Sequence, residues 1–249
     1  MSSIFYLKTF KSMEDLLKNL RKDLDLYASP KKAEGLKRFF KTGKGQYGEG
    51  DIFLGIQVPD SRKIARKYGG IPLEDVLRLL SSKIHEERLI ALLIMVEKYR
   101  RADETGKETL YKKYLENTQY INNWDLVDLS ADKIVGSYLS DKPKDVLYSL
   151  AVSENLWERR IAVLSTFDFI KKGVCEDILN IAKILLNDPH DLIHKAVGWM
   201  LREAGKRCSQ EVLEGFLLVN YKLMPRTMLR YAIERLPETL RLQYLKGEK

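Results

Sequence analysis

The 249-residue chain has little of the residue types that carry metal and redox chemistry, with two cysteines and three histidines. Cys175 and Cys208 lie far apart in helical sequence, and neither has a second Cys or a His at ligand spacing. The spacing therefore indicates neither a disulfide framework nor a zinc site. His190 and His194 are four residues apart, as two ligands on one helical turn would be. No HExxH pattern and no third ligand accompany them or His85, so no metal is expected. Long apolar runs are missing too, since none approaches the ~20 residues that cross a bilayer. Met1 to Lys18 lacks the basic, apolar and small-residue succession of a secretory signal. The expected location is cytoplasmic, with no membrane among the partners. Alternation of apolar and polar residues is nowhere sustained, which removes strands from the expected architecture.

What the chain does have is positive charge and helical period. A formal net charge of +8 favours polyanionic partners without choosing among DNA, RNA and membrane surfaces. No recognised RNA-binding motif is present. Ser12 can cap a helix running to about Tyr27, and Ser29 followed by Pro30 is a cap with proline at the first helical position; that helix ends at Thr42 and Gly43. The 3.6-residue period predicts further helices near 60–68, 73–82, 84–101, 108–117, 123–140, 143–152, 155–171, 174–187, 190–206, 209–222 and 225–236. Connections between them are mostly short, as when consecutive helices pack antiparallel. The exception is the stretch Gly43 to Val58, with glycines at 43, 45, 48, 50 and 55. Without a Gly-Lys-Ser/Thr sequence it gives little support to nucleotide binding. Two readings stay open for it, a long connector or a flap over a ligand.

Trp124, Trp157 and Trp199 each lie near a helix start, 33 and 42 residues apart. Such periods suit two-helix repeats of the HEAT or armadillo kind, whose stacking makes an extended concave surface. The fold expected is all-α, HEAT-like repeats stacked into a curved solenoid. No break in composition marks a second domain, so residues 1–249 read as one.

The helical phase separates core from surface. In the helix from Asp191, the residues Ile193, Val197, Met200 and Ala204 form the apolar stripe. Trp199 falls off that stripe, among Lys195, Arg202 and Lys206. Burying it in the main core would drag lysines inward, which favours a surface role. In the segment from Asn122, the stripe runs through Trp124, Val127, Ala131, Val135 and Tyr138. Asp128 sits one turn after Trp124 at the stripe's edge, where a carboxylate loses hydration and needs a partner or a task. An equally weighted reading has Asp125 and Asp128 complement the positive helix N-terminus. Trp157, Ile161, Leu164 and Asp168 share one face, so Trp157 belongs to the core. Arg160 flanks that face, placed to reach a groove and pair with Asp128 or a phosphate, while Arg159 points nearly opposite.

The motifs Trp124-Asp125-Leu126-Val127-Asp128, Trp157-Glu158-Arg159-Arg160-Ile161-Ala162 and Lys195-Ala196-Val197-Gly198-Trp199-Met200-Leu201-Arg202-Glu203 resemble the DNA alkylation repair enzymes built on HEAT-like repeats. Arg226-Thr227-Met228-Leu229-Arg230-Tyr231-Ala232-Ile233-Glu234 is similar to the family's closing segment. The four ordered motifs span most of the chain. The resemblance implies a monofunctional glycosylase, without cofactor or metal, that hydrolyses the N-glycosidic bond of N3- and N7-alkylated purines in double-stranded DNA. It implies Asp128 as catalytic aspartate, Trp124 and Trp199 as site tryptophans and Arg160 as the arginine beside the DNA backbone. DNA contacts are expected from Arg159, Lys195, Arg202, Lys206, Arg226 and Arg230, in a chain acting as a monomer. The Gly-rich stretch looks like one subgroup's N-terminal region. Other readings stay open: a non-catalytic DNA-binding member of the same family, and a HEAT-type protein-interaction scaffold.

Overall fold

The computed structural model describes residues 16–249, which fall into two compact units, one ending at Leu129 and one running Ser130–Lys249. Apart from an isolated bridge between Ile52 and Ile84, the regular structure of the described residues is helical. None of these helices is long and apolar enough to cross a membrane.

The first unit contains α1 (residues 16–27), α2 (Pro30–Phe39), α3 (Val58–Lys67), α4 (Leu73–Leu80), α5 (His85–Arg101), α6 (Glu104–Glu116), a 3₁₀ turn (Thr118–Tyr120) and α7 (Trp124–Asp128). Ser29 caps α2 as expected, its hydroxyl accepting the Lys32 N–H, with Pro30 opening the helix. The anticipated Ser12 cap lies outside the described residues. Helix α5 is the hub. Every residue from His85 to Val96 is buried, and α3, α4, α6 and α7 pack around it. A helix surrounded in this way carries no amphipathic stripe.

The stretch from Gly43 to Val58 is a fastened connector. Ile52 donates to the Lys83 carbonyl at 3.2 Å and accepts from His85 N–H at 2.9 Å. The buried Glu86 carboxylate collects the N–H groups of Leu54, Gly55 and Ile56 at 2.8–3.1 Å. Gly55 has φ +86, and a Cβ there would run into the Ser29 carbonyl, so the position requires glycine.

The second unit begins with a π-helical turn (Asp132–Gly136) and continues through α8 (Ser137–Leu139), α9 (Asp145–Ala151), α10 (Leu156–Lys171), α11 (Glu176–Ile184), α12 (Asp191–Arg207), α13 (Gln210–Asn220), α14 (Arg226–Ala232) and α15 (Glu238–Lys246). Asn155, His190 and Ser209 cap α10, α12 and α13 through their side chains. Each long helix packs on its chain neighbours and on the next but one, α10 on α12 and α12 on α14. This is the stacking of helical repeats. Gly198 is what lets α14 approach α12, because a Cβ there would lie 2.5 Å from the Met228 carbonyl.

Several expectations are corrected. The single helix foreseen over 123–140 stops at Asp128, turns at Leu129 and Ser130, and resumes as a π turn. Inside that turn Asp132 is buried and paired with Lys133 and Lys171, and the wider turn changes the helical register there. Helix α6 starts at Glu104, earlier than foreseen, because Asp103 caps it by accepting from the Gly106 N–H. Helix α15 was not anticipated, and buried Tyr244 anchors it. Cys175 and Cys208 are joined by a disulfide, with Cα atoms 6.6 Å apart. Their separation of 33 residues spans one helix pair, so Cys175 before α11 and Cys208 after α12 meet at the same end of that pair.

Two glycines test this packing. Gly198→Ala is expected to destabilise the fold by about 1–3 kcal/mol through overpacking. Gly215→Ala, in α13 with open space around it, is expected to stabilise by roughly 0.5–1 kcal/mol. Urea unfolding of both variants checks the sign. Equal effects would mean that close helix approach at Gly198 does not limit stability.

Candidate functional site

The site in the first unit is built on α7, one and a half turns long. The Asn123 side chain caps it by accepting the Trp124 N–H at 2.9 Å. Leu126 and Val127 are fully buried, while Trp124 and Asp128, one turn apart, are half-buried. Phe40 stacks on the Trp124 indole with ring centres 5.1 Å apart, and Phe39 meets the indole edge-on at 5.7 Å. The pile continues through Phe53, stacked on Phe40 at 5.1 Å, to His85, stacked on Phe53 at 4.5 Å. These rings border a cavity of about 420 Å³ to which Asp128, Gln57 and Val58 also contribute. The volume is within the range of ordinary small-ligand pockets.

A buried charge network underlies the pile. His85 Nε2 is 2.8 Å from Asp125 Oδ2, and its Nδ1 is 3.2 Å from Asp51 Oδ2. The other Asp51 oxygen accepts from Arg88 Nη2 at 2.7 Å. Burial pulls the His85 pKa down, but the charge and hydrogen bond of Asp125, with help from Asp51, raise it to about 9. Burial pushes Asp51 up, yet His85 and Arg88 hold it below the usual carboxylate range. His85 is therefore an imidazolium at neutral pH. Asp125 does serve the start of α7, accepting the Leu126 N–H, but its other oxygen is committed to His85.

The second unit carries the remaining expected residues. Ile193, Val197, Met200 and Ala204 are buried, and Trp199 lies half-buried off their stripe, tilted against Phe167 at 6.2 Å. Lys171 and Arg207 sit over the Phe167 ring at 5.0 and 5.3 Å, adding two cations that sequence reasoning missed. Trp157 is in the core, as its phase predicts. Arg160 departs from its expected position. It is 5% exposed, and its Nη1 donates to the Leu192 carbonyl at 2.5 Å, tying α10 to the first turn of α12. Arg159 is engaged as well, bonded to Asp188 at 2.6 Å and to the carbonyls of Ser153 and Glu154. Arg202 pairs with Glu234, Lys195 with Asp191 at 2.7 Å, and Arg226 donates to the Leu245 carbonyl at 2.7 Å. Lys206 and Arg230 are exposed. His190 and His194 have local duties: His190 Nδ1 accepts the Leu192 N–H, and His194 Nε2 bonds the Asp188 carbonyl.

The model of the family described as DNA alkylation repair enzyme matches residues 20–236. The chain belongs to that family. Its fold is shared with the protein described as "Predicted DNA alkylation repair enzyme from Enterococcus faecalis", at a TM-score of 0.65 and 17% identity over 85% of this chain and 97% of the other. No curated protein matches the chain. Membership in this repair family agrees with the all-helical repeat architecture and gives the chain a role in DNA alkylation repair.

In this family member, sequence reasoning missed Phe39, Phe40, Phe53, His85 and Glu86. One signal was available. His85-Glu86-Glu87-Arg88 puts four polar residues at the head of an otherwise apolar helix, and a core helix can bury them only as a paired network.

The His85 network predicts a pH dependence. A histidine with its folded pKa above the unfolded value binds extra protons in the native state. Its contribution is complete below about pH 6.5 and is lost as pH rises through about 9. Wild type should exceed His85→Gln in unfolding free energy by on the order of 3 kcal/mol at pH 6.5, and the gap should narrow toward pH 10. Urea titrations across that range check it, and a gap independent of pH would mean that the ring is neutral.

Proposed function

We propose that this chain is a DNA glycosylase that hydrolyses the N-glycosidic bond of N3- and N7-alkylated purines in duplex DNA, as a monomer and as one working domain of residues 1–249. The observation that carries the reading is the placement of half-buried Asp128 one helical turn from Trp124, on the wall of an aromatic cavity.

Alkylation at N3 or N7 makes the purine cationic and a good leaving group, so no strong acid is needed to protonate it. Cleavage leaves the bonding pair on the base and an oxocarbenium-like sugar, which a water then attacks. In this reading ionised Asp128 stabilises the sugar cation, orients the water and takes up its proton. Trp124 holds the cationic ring by cation–π attraction, worth about 0.5–2 kcal/mol. Trp199 has the same task on the second unit. Lys206 and Arg230 are exposed and suited to phosphates, and Lys195, Arg202 and Arg226 can join them by exchanging local partners for phosphate oxygens. Arg160 and Arg159 serve the reading differently from the sequence expectation, as positioning residues that hold α10 against the Leu192 carbonyl and Asp188 at the head of α12, the helix of Trp199.

Asp128→Asn should lower 7-methylguanine release from methylated DNA by roughly 10²–10³-fold and leave DNA binding nearly intact. Chromatography of the freed bases and a binding titration read the two effects. Unchanged release removes Asp128 from the chemistry. Binding that falls with salt without any release identifies a non-catalytic DNA-binding member, and no DNA binding identifies a protein scaffold. Trp199→Ala should weaken affinity for alkylated DNA more than for undamaged duplex, and an equal loss on both makes Trp199 a structural residue.

A further inference from the structure

We infer that the cavity beside Trp124 is a binding site for an N-alkylpurinium ring held outside the base stack. The inference rests on the glycosylase reading for the identity of the base, and it goes further by assigning the ring a place within the first unit.

Three features of the cavity match that ligand. The first is size. At about 420 Å³ the cavity has room for a planar bicyclic ring. A lesion left stacked in the duplex would make no use of such a space. The second is the wall. Phe39, Phe40, Phe53 and Trp124 all line it, so a flat ring meets π faces and edges rather than aliphatic side chains. Phe40 already covers one face of the indole, so a ligand ring can stack only on the other. The third is polarity. The Asp128 carboxylate lines the same space, which favours a cation over a neutral base, and the Gln57 amide is there to meet a purine edge. Aromatic faces combined with a carboxylate are the usual means of holding a delocalised organic cation.

The cavity is also preorganised. Phe53 and Trp124 come from segments distant in sequence, the connector and α7, yet both are fixed to α5, one next to the loop gathered by Glu86 and the other through the Asp125–His85 bond. A ring entering the space need not assemble its walls. That lowers the ordering cost that normally opposes extrusion of a base, a cost already smaller for a damaged pair.

The probe is 7-methylguanosine at pH 6, where its ring is cationic, titrated into the full chain by calorimetry beside guanosine. The expected result is binding at least about tenfold tighter for the methylated nucleoside. Val58→Trp, which fills the cavity from the first position of α3, should weaken it at least about tenfold. Phe39→Ala, which removes an exposed wall, should weaken it without endangering the fold, as circular dichroism would verify. Equal affinity for the two nucleosides, or binding untouched by both variants, overturns the site. On methylated DNA, base release that persists undiminished in Val58→Trp also overturns it, and leaves the glycosylase reading standing with the lesion processed in the stack. Selective, variant-sensitive nucleoside binding by a wild type that releases no base supports the site and removes the glycosylase reading.

Discussion

A buried imidazolium between two carboxylates is the constraint on which the first unit depends. His85 is 2% exposed and reaches Asp125 on α7 with one nitrogen and Asp51 on the Gly-rich connector with the other. Burying ions is costly, and a buried ion pair is weak evidence for stability, since apolar residues of similar volume often do as well. Its value lies in geometry. Apolar rings can slide over one another at little cost, whereas an imidazole held at both nitrogens has one position. Phe53 stacks on that ring, Phe40 on Phe53, and Trp124 on Phe40. The orientation of the tryptophan is thus inherited from a charge network four rings away. Glu86, the next residue along α5, fixes the connector independently by collecting three of its N–H groups.

The second unit solves a different problem with different means. Its helices repeat, and repeats need close and regular approach more than buried charge. Gly198 opens the room for α14, and the Cys175–Cys208 disulfide closes the end of the α11–α12 pair. Trp199 is left off the apolar stripe because the stripe is already filled by Ile193, Val197, Met200 and Ala204. The basic residues of this unit divide into two populations. Arg159 and Arg160 are spent on carboxylate and carbonyl partners inside the fold, while Lys206 and Arg230 face solvent. The net charge of +8 therefore overstates the charge available to a polyanion, and salt dependence should reflect the exposed set.

How much of this was legible in the sequence follows from which interactions are local. The Ser29 cap, the core phase of Trp157 and the stripe of α12 depend on neighbours within one or two helical turns, and the periodicity found them. Four ordered motifs led to the repair family, which the family match over residues 20–236 establishes. The interruption at Leu129 and Ser130 was hidden because apolar spacing continues across it, and the π turn is set by Asp132 reaching Lys171 on α10. Arg160 was misplaced for a similar reason. Its helical phase puts it beside a groove, but the Leu192 carbonyl 32 residues on draws the guanidinium inward. His85 was invisible as a site residue because its partners lie 34 and 40 residues away. The disulfide needed knowledge that a 33-residue separation returns the chain to the same end of a helix pair.

The spacing of Trp124 and Asp128 links the two halves of the proposed chemistry. Residues four apart on a helix project from the same face, one turn or ~5.4 Å along the axis. That is the order of the separation between a purine ring and the sugar carbon to which it is bonded. A ring lying against the indole thus brings its glycosidic carbon toward the carboxylate without further adjustment, provided α7 does not rotate. The helix is too short to hold its own phase, having few internal hydrogen bonds to resist turning. Its orientation has to be supplied from outside, by the Asn123 cap at its start and the Asp125–His85 bond on its buried side. The residue between the two site residues that looked like a mere helix-end carboxylate is, on this geometry, what keeps the other two in register.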